Sequence, residues 1–408
     1  MKKIFSILSL FGMLAAASAQ EFQHQTRALN IEVPVRVFKG DVFIGDLEIG
    51  DFELFEDGIP QVIEAVYLIR KDKIERKQEE KKFIPQTKRY FYLFFEIAEY
   101  TPRIGDAVEY FFKEVVLPED DITIITPLKT YHMKNDTVAQ TPRERIAEQL
   151  VSILRKEATM GNSQYRRVVE ELTGLARALS SALGGPSGLD SYTDSSIQEM
   201  DSGSRLEYLL DQYEVTLQNL EKLREVNQNR ILEFGKYLKE KLGQKHIFLF
   251  YQREFIPQIE GRILTQALGV NQDKPHVQAK MFSQFSGYVR ETMIDASKIK
   301  QAFSDSSITT HFLYFTKSAD RIPGVHFEEH SEDIYQPFTE IAHATGGSTV
   351  NSANPQYLFQ KAVEASENYY LVYYSPKNYI ADGGFKNIEV KVKGQSYQVT
   401  HRAGYIAD

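Results

Sequence analysis

The sequence predicts an α/β fold: a doubly wound, mostly parallel sheet with flanking β-structure from the N- and C-terminal regions and a long helical insertion. Two observations predict this class. In the middle of the chain, short and nearly continuous apolar segments alternate with helical patterns, as in parallel sheets that helices cover on both faces. Near both ends of the chain, apolar and polar residues alternate with a period of two, which is typical of half-buried strands.

Residues 1–19 predict a secretory signal peptide. Lys2 and Lys3 precede an apolar segment at 4–16, and Ala-Ser-Ala at 17–19 forms a cleavage site before Gln20. A membrane anchor would need about 20 apolar residues, and no later segment approaches that length. We therefore expect an exported protein, periplasmic or extracellular, with no integral membrane segment after cleavage.

The composition of the 408 residues excludes several classes of protein. With 42% hydrophobic and 25% charged residues, the chain is globular rather than wholly disordered. A formal net charge of −8 argues against nucleic-acid binding, which needs a basic face. Because the chain has no cysteine, disulfides, thiolate metal sites and a catalytic thiol are excluded.

Residues 20–85 predict an N-terminal β region followed by a charged linker. The segments at 29–37 and 51–55 alternate apolar and polar residues, and Asp57-Gly58 marks a turn after the second segment. Residues 70–82 are almost all charged, which favours a solvated linker or an exposed helix.

Residues 86–350 predict the α/β domain. Four apolar segments, at 90–95, 122–126, 247–251 and 310–315, have the character of strands that are buried on both faces. Helical patterns lie between or after them, at 105–116, 143–155, 297–303 and 335–345.

The segment at 141–242 is too long for one crossover and predicts a helical insertion. Apolar stripes run from Tyr165 to Leu183 and from Leu206 to Leu242, with a Gly/Ser/Asp-rich loop at 184–204. A helix over 205–242 would be about 57 Å long. We expect two antiparallel helices that project at least partly from the sheet; the alternative is that both simply cover it.

Residues 351–408 predict a C-terminal helix and strands that pack with the N-terminal β region. The segment at 369–374 is rich in tyrosine, and residues 388–393 alternate cleanly.

Five segments resemble a known family. They are DFELFEDGIPQ at 51–61, LPEDDITIITP at 117–127, IAHATGGSTV at 341–350, YYLVYYSP at 369–376 and HRAGY at 401–405. In this order they resemble the bacterial von Willebrand factor type A (VWA)-related proteins, a group first noted in Acidobacteria. The resemblance implies a VWA-like, Rossmann-like sheet. It also implies a divalent cation at the carboxyl end of the strands, held by an Asp-x-Ser-x-Ser loop, a Thr and a further Asp.

The residues at that end depart from the family pattern. After the segment at 90–95, the loop carries Glu96, then Ala98, which lacks a hydroxyl, and Tyr100, which is bulky. Where the family has an Asp-bearing loop, this chain has Gln252, Arg253 and Glu254. A hard cation such as Mg²⁺ needs several oxygen ligands, so we expect a degenerate metal-ion-dependent adhesion site with neither metal nor other cofactor.

The loops at this end therefore become the predicted binding surface. Its candidate residues are Glu96, Glu99, Tyr100, Gln252, Arg253 and Glu254. The leading hypothesis is an exported, non-catalytic module that binds an unidentified protein partner and has no catalytic residues.

Two alternatives remain open. The helical insertion could act as a coiled-coil element in a structural assembly, which would make the chain oligomeric. His326 and His330 belong to an H-x-x-E-H pattern with Glu329 as base, which is typical of a zinc-dependent hydrolase. That chemistry needs a helix, whereas Pro323-Gly324 before the pattern and Ser331 as a helix N-cap after it predict a loop.

Overall fold

The computed structural model describes residues 30–186, 200–288, 294–316, 321–394 and 396–408. The predicted signal peptide at 1–19 lies outside the described residues, as does most of the predicted loop at 184–204.

Eighteen strands are formed in the described part of the chain. They are β1 (Ile31–Lys39), β2 (Val42–Phe43), β3 (Phe52–Glu56), β4 (Ile59–Gln61), β5 (Ile63–Arg70), β6 (Lys73–Glu79), β7 (Arg89–Glu96), β8 (Asp121–Ile125), β9 (Thr130–Met133), β10 (Gln244–Gln252), β11 (Phe255–Ile259), β12 (Ile308–Phe315), β13 (Val325–Glu329), β14 (Ser348–Ser352), β15 (Asn368–Tyr374), β16 (Phe385–Val392), β17 (Gln398–His401) and β18 (Gly404–Ile406).

The helices of the described residues lie mainly between β7 and β15. They are α1 (Pro102–Tyr110), α2 (Asn135–Gln140), α3 (Arg143–Gly161), α4 (Ser163–Ala182), α5 (Ser202–Leu223), α6 (Gln228–Lys239), α7 (Gly261–Val270), α8 (Pro275–Phe285), α9 (Ala296–Asp305), α10 (Glu332–Ala344) and α11 (Pro355–Glu367). A π-helical turn, Phe111–Val115, continues α1.

One six-stranded sheet has the order β14-β12-β10-β7-β8-β9, and its pairings are parallel except for β8 with β9. Helices α1, α3 and α11 pack on one face, where Phe91 and Phe248 are fully buried. Helices α6, α9 and α10 pack on the other face, over residues such as Ile247 and Phe312. Because both faces are covered, β7, β10 and β12 each contain a continuous apolar or aromatic segment, at 90–95, 247–251 and 312–315, although the first residues of β10 and β12 include polar side chains.

The remaining sheets are antiparallel. Strands β17, β1, β15, β5 and β6 pair in that order, with β2 on β1, so that the two chain ends meet in one sheet. Strands β18, β16, β3 and β4 form a second sheet, and β11 with β13 form a two-stranded one. The core between the first two of these sheets contains Val33, Leu54, Tyr370 and Val390.

The predicted fold class is wrong. Ten of the fourteen strand pairings among the described residues are antiparallel, so the sheets are mostly antiparallel and the chain is not a doubly wound, mostly parallel fold. The prediction relied on the four continuous apolar segments, and these belong to only one of the four sheets. The others are built from hairpins, from pairings between the two ends of the chain and from the pairing of β11 with β13, all of which are antiparallel.

The charged segment at 70–82 is neither a linker nor a helix. It forms a hairpin with β5, in which β6 is an edge strand that pairs only on one side among the described strands. Charged side chains are common on edge strands because they discourage pairing with another chain.

The helical insertion also differs from its prediction. The continuous helix expected over 205–242 is interrupted, because α5 ends at Leu223 and α6 begins at Gln228 with Asn227 as its N-cap. Helices α4 and α5 pack against each other and against β11, α7 and α8 in one buried cluster. The leucine stripe of α5 is therefore covered within the chain.

None of the helices in the described residues is long and apolar enough to cross a membrane.

Candidate functional site

Glu96 is the last residue of β7, at the carboxyl end of the central parallel strands. Its side chain is exposed to solvent, although many protein atoms surround the carboxyl group. This burial raises the pKa of Glu96 above its usual value; the Arg224 guanidinium opposes the rise, and the Glu254 carboxylate adds to it. Glu96 is therefore electrostatically coupled to a basic and an acidic neighbour.

Gln252, the last residue of β10, holds the loop that follows β7. Its Oε1 accepts hydrogen bonds from the backbone N–H groups of Ala98 and Glu99, each at 2.9 Å. Asn162, between α3 and α4, donates to the carbonyl oxygen of Ile97 at 2.8 Å. The loop at 97–99 is thus fixed by side chains from two other elements.

Glu254 belongs to a buried network with Arg224 and Tyr251. Arg224 forms an ion pair with Glu254 and donates to the Tyr251 hydroxyl at 3.1 Å. The guanidinium also lies over the Tyr165 ring, 4.8 Å from its centroid. Burial alone would lower the pKa of Arg224, but the adjacent Glu254 carboxylate raises it, so the guanidinium stays charged.

Arg253 is tied to the opposite side of the site. Its Nη1 donates to Glu329 Oε2 at 2.8 Å, its Nη2 donates to Asn351 Oδ1 at 2.5 Å, and the guanidinium lies 4.7 Å from the Tyr314 ring centroid. Tyr314 in turn donates to Glu329 Oε1 at 2.6 Å and contacts the hydroxyl of Ser331. The charges of Arg253 and Glu329 therefore compensate each other.

A groove of about 310 Å³ opens beside these residues, between α4 and the ends of β10 and β11. Its apolar surface comes from Tyr165, Val169, Phe255, Ile322 and Phe327. Its charged surface comes from Glu99, Arg166, Glu170 and Arg253. A groove with an apolar floor and charges of both signs has the character of a site for polypeptide side chains.

The oxygen atoms available as metal ligands at this site do not fit the divalent cation that the family resemblance implies. Gln252 Oε1 already accepts two backbone N–H groups, and Arg253 places a positive charge beside it. Within the described residues, no group of three or more His, Asp or Glu side chains is arranged to hold a metal ion. A Mg²⁺ site needs more anionic oxygen than Glu96 supplies here.

The H-x-x-E-H pattern lies on a strand rather than in the predicted loop. Its first four residues belong to β13, so His326 and His330 are separated by about 13 Å of extended chain. His326 contacts Glu328 at 2.9 Å, and His330 contacts Gln258 at 3.1 Å. The two imidazoles do not face one ion. Ser331 does occupy the N-cap position of α10, although its hydroxyl makes no cap hydrogen bond.

The structure brings most of the predicted binding residues to one end of the sheet. Glu99, Gln252 and Arg253 line the groove, whereas Glu96 and Glu254 lie beside Arg224. Tyr100 is separate, because its ring packs near α1 and α3 under the Arg155 guanidinium, 5.1 Å from the centroid.

Sequence reasoning missed the partners of these residues. The sequence predicts a continuous helix over 205–242, which contains Arg224, and a candidate zinc site with Glu329 as base. Arg166 and Glu170 lie on the polar side of α4, and the apolar stripe of that helix does not indicate them. The break before Gln228, marked by Val226-Asn227, is the one local signal that places Arg224 at a helix end.

Comparison with known proteins adds little. No family model and no curated protein matches the sequence. Human COPII-coat protein Sec24c is a structural neighbour with a TM-score of 0.31 and 7% sequence identity, over 80% of this chain and 45% of that chain. The chain thus spans less than half the length of that neighbour, and a TM-score this low carries no argument. The resemblance to VWA-related proteins stays a prediction.

Proposed function

We propose that this chain is an exported, non-catalytic module that binds a protein partner through the groove at the carboxyl end of its parallel strands. The observation that carries the proposal is the lining of that groove, which combines apolar and aromatic side chains with the charged side chains of Arg166, Glu170, Glu99 and Arg253. Such a surface matches an extended segment with one apolar and several charged side chains.

The charged groups around the groove support binding rather than catalysis. Arg224 is paired with Glu254, and Arg253 is paired with Glu329. A nucleophile or general base needs a side chain aimed at a reacting atom, whereas these groups are aimed at each other. Pairing of this kind keeps side chains in fixed positions, which favours recognition.

We further propose that binding needs no divalent cation. In this chain the Gln252 amide, and not a cation, holds the loop at 97–99 through hydrogen bonds to the backbone N–H groups of Ala98 and Glu99. Export, to the periplasm or the outside of the cell, remains part of the proposal and rests on the segment at 1–19.

Site-specific photocrosslinking tests the proposal. A photoreactive phenylalanine analogue replaces Glu99, at the edge of the groove, and the chain is expressed with its leader in its native envelope. The matched control carries the same analogue at Ile380, which is 65% exposed and lies between β15 and β16. We expect one discrete protein adduct from position 99 and none from position 380.

A charge reversal distinguishes groove binding from general adhesion. Glu170→Lys changes the groove edge, and Glu389→Lys makes the same change on the exposed surface of β16. The adduct from position 99 should fall severalfold with the first variant and stay unchanged with the second. Equal adducts from positions 99 and 380, or equal losses with both variants, would overturn the proposal.

A further inference from the structure

Arg36 lies in the middle of β1 and is 1% exposed. Its Nη1 donates to the carbonyl oxygen of Gly346 at 3.0 Å. Its Nε and Nη2 have no hydrogen-bond partner, and it forms no ion pair with a carboxylate of the described residues. A guanidinium that is removed from water without a counter-charge is strongly disfavoured.

Other buried arginines in the same region are compensated. Arg89 forms a two-pronged ion pair with Asp120, with Nε to Oδ1 at 2.9 Å and Nη2 to Oδ2 at 2.5 Å. Arg402 donates to the carbonyl oxygens of Glu32 and Ser304, and the Glu32 carboxylate is one of the negative charges that act on it. Arg36 therefore differs from its neighbours in lacking a negative partner.

Further polar atoms around Arg36 also lack hydrogen-bond partners among the described residues. The Tyr369 ring centroid lies 5.6 Å from the guanidinium carbon, and the buried Tyr369 hydroxyl makes no hydrogen bond within the described part of the chain. His246 and His311 are buried, with stacked rings whose centroids are 6.3 Å apart, and no described residue bonds to His246 Nδ1 or His311 Nε2. The Nδ1 of His311 is hydrogen-bonded to Ser348 at 3.0 Å, which fixes the direction in which its Nε2 points.

The charges in this cluster determine whether it can bind a cation or an anion. Arg36 is positive. Burial, followed by the Arg36 charge, lowers the pKa of both histidines, so that they are neutral at neutral pH. A cation would be repelled by the guanidinium. A water molecule could accept the unpaired N–H groups but would leave the charge uncompensated, whereas a small anion satisfies both needs.

We propose that a halide-sized monovalent anion binds in this cluster, held by the guanidinium of Arg36 and by the hydroxyl and imidazole groups of Tyr369, His246 and His311. The ion is small because these side chains are closely packed and fully buried. It joins β1 and β15 of the antiparallel sheet to β10 and β12 of the parallel sheet. This structural site is independent of the groove.

Crystals of the mature chain grown in sodium bromide give the direct test. Data collected at the bromine absorption edge should show an anomalous peak within hydrogen-bonding distance of Arg36 Nε or Nη2. A map with no anomalous peak there, or with density for water alone, would overturn the proposal. This measurement uses the unaltered protein, so it does not depend on the folding of a variant.

Thermal melts in chloride and in gluconate, at equal ionic strength, give the second test. Gluconate is too large for the cluster, so chloride should raise the melting temperature of the wild type by a saturable few degrees. Arg36→Met should remove that rise, whereas Lys39→Met, an exposed cation three residues along the chain, should keep it. The proposal fails if chloride has no effect on the wild type or acts equally on Arg36→Met.

Discussion

Gln252 and Glu99 are joined in both directions: Gln252 Oε1 accepts the Glu99 N–H at 2.9 Å, and Gln252 Nε2 donates to the Glu99 carbonyl oxygen at 3.3 Å. Gln252 is 3% exposed, so these bonds form away from bulk water. One amide side chain thereby connects the ends of two adjacent parallel strands and sets the shape of the loop beside the groove.

Removing this amide should destabilise the protein. Gln252→Ala leaves the N–H groups of Ala98 and Glu99 without their acceptor, which costs about 1–3 kcal/mol for a buried donor. Gln252→Met fills a similar volume but also lacks the acceptor, so it should lose a similar amount. Urea unfolding of both variants and the wild type measures the loss. If the methionine variant were as stable as the wild type, lost packing in the alanine variant, and not the hydrogen bonds to the loop, would be the cause.

Divalent cations should leave the protein unchanged. The oxygen atoms that could face a cation are either occupied, as in Gln252, or too few, as at Glu96, where the nearby Glu254 carboxylate is already paired with Arg224. Titration with Mg²⁺, Mn²⁺ and Ca²⁺ should therefore give no saturable rise in melting temperature, since a ligand that binds the native state must stabilise it. A saturable rise that Glu96→Gln abolishes would contradict this prediction and restore the cation site.

The leucine stripe of α5 should stabilise the monomer and not an oligomer. Leu210 is 0% exposed and packs in the cluster formed by α4, α7 and α8. Leu210→Asn should reduce the free energy of unfolding by about 3–5 kcal/mol, because it leaves a cavity and buries an amide. The oligomeric state, measured by light scattering after size exclusion, should stay the same.

Val215 provides the control on the same helix, since it is 52% exposed. Val215→Asn should change stability by less than about 0.5 kcal/mol. A shift in molecular mass with Leu210→Asn under conditions where the chain remains folded would favour the coiled-coil alternative.

The sequence predicted the buried strands well because their signal is local. The apolar segment at 247–251 lies inside β10, and the one at 310–315 lies inside β12. The prediction of the fold class is wrong because strand direction depends on which strands pair with each other. Strand β1, for example, pairs with β15, more than three hundred residues away. The strand β6 was missed because an edge strand can be charged throughout.

The candidate site shows the same limit. Residues that directly follow strands, such as Glu96 and Gln252, could be located because the carboxyl ends of parallel strands meet at one edge. Their partners could not, because Arg224 reaches the site from a helix end and Glu329 from β13, which pairs with β11 in a separate sheet. No spacing rule in the sequence connects residue 253 with residue 329.

Acid should destabilise the protein through His311. Burial and the Arg36 charge lower the pKa of this imidazole to about 3 in the folded state, against about 6.5 in an unfolded chain. Below pH 6.5 the imidazole takes up a proton in the unfolded chain but not in the native state. The free energy of unfolding is therefore unaffected by His311 above this pH, and it decreases as the pH falls toward 3.

The size of the effect follows from the same linkage. Each pH unit below 6.5 removes about 1.4 kcal/mol for one such group, which gives about 2 kcal/mol by pH 5. In gluconate, which keeps the proposed anion site empty, replacing the imidazole by an amide that does not titrate, in His311→Asn, should reduce the pH dependence of urea unfolding between pH 7 and about 5 without abolishing it, because burial also lowers the pKa of His246. His276→Asn, at an exposed histidine paired with Glu207, should retain the wild-type slope. Equal slopes for His311→Asn and the wild type would show that another group controls acid unfolding.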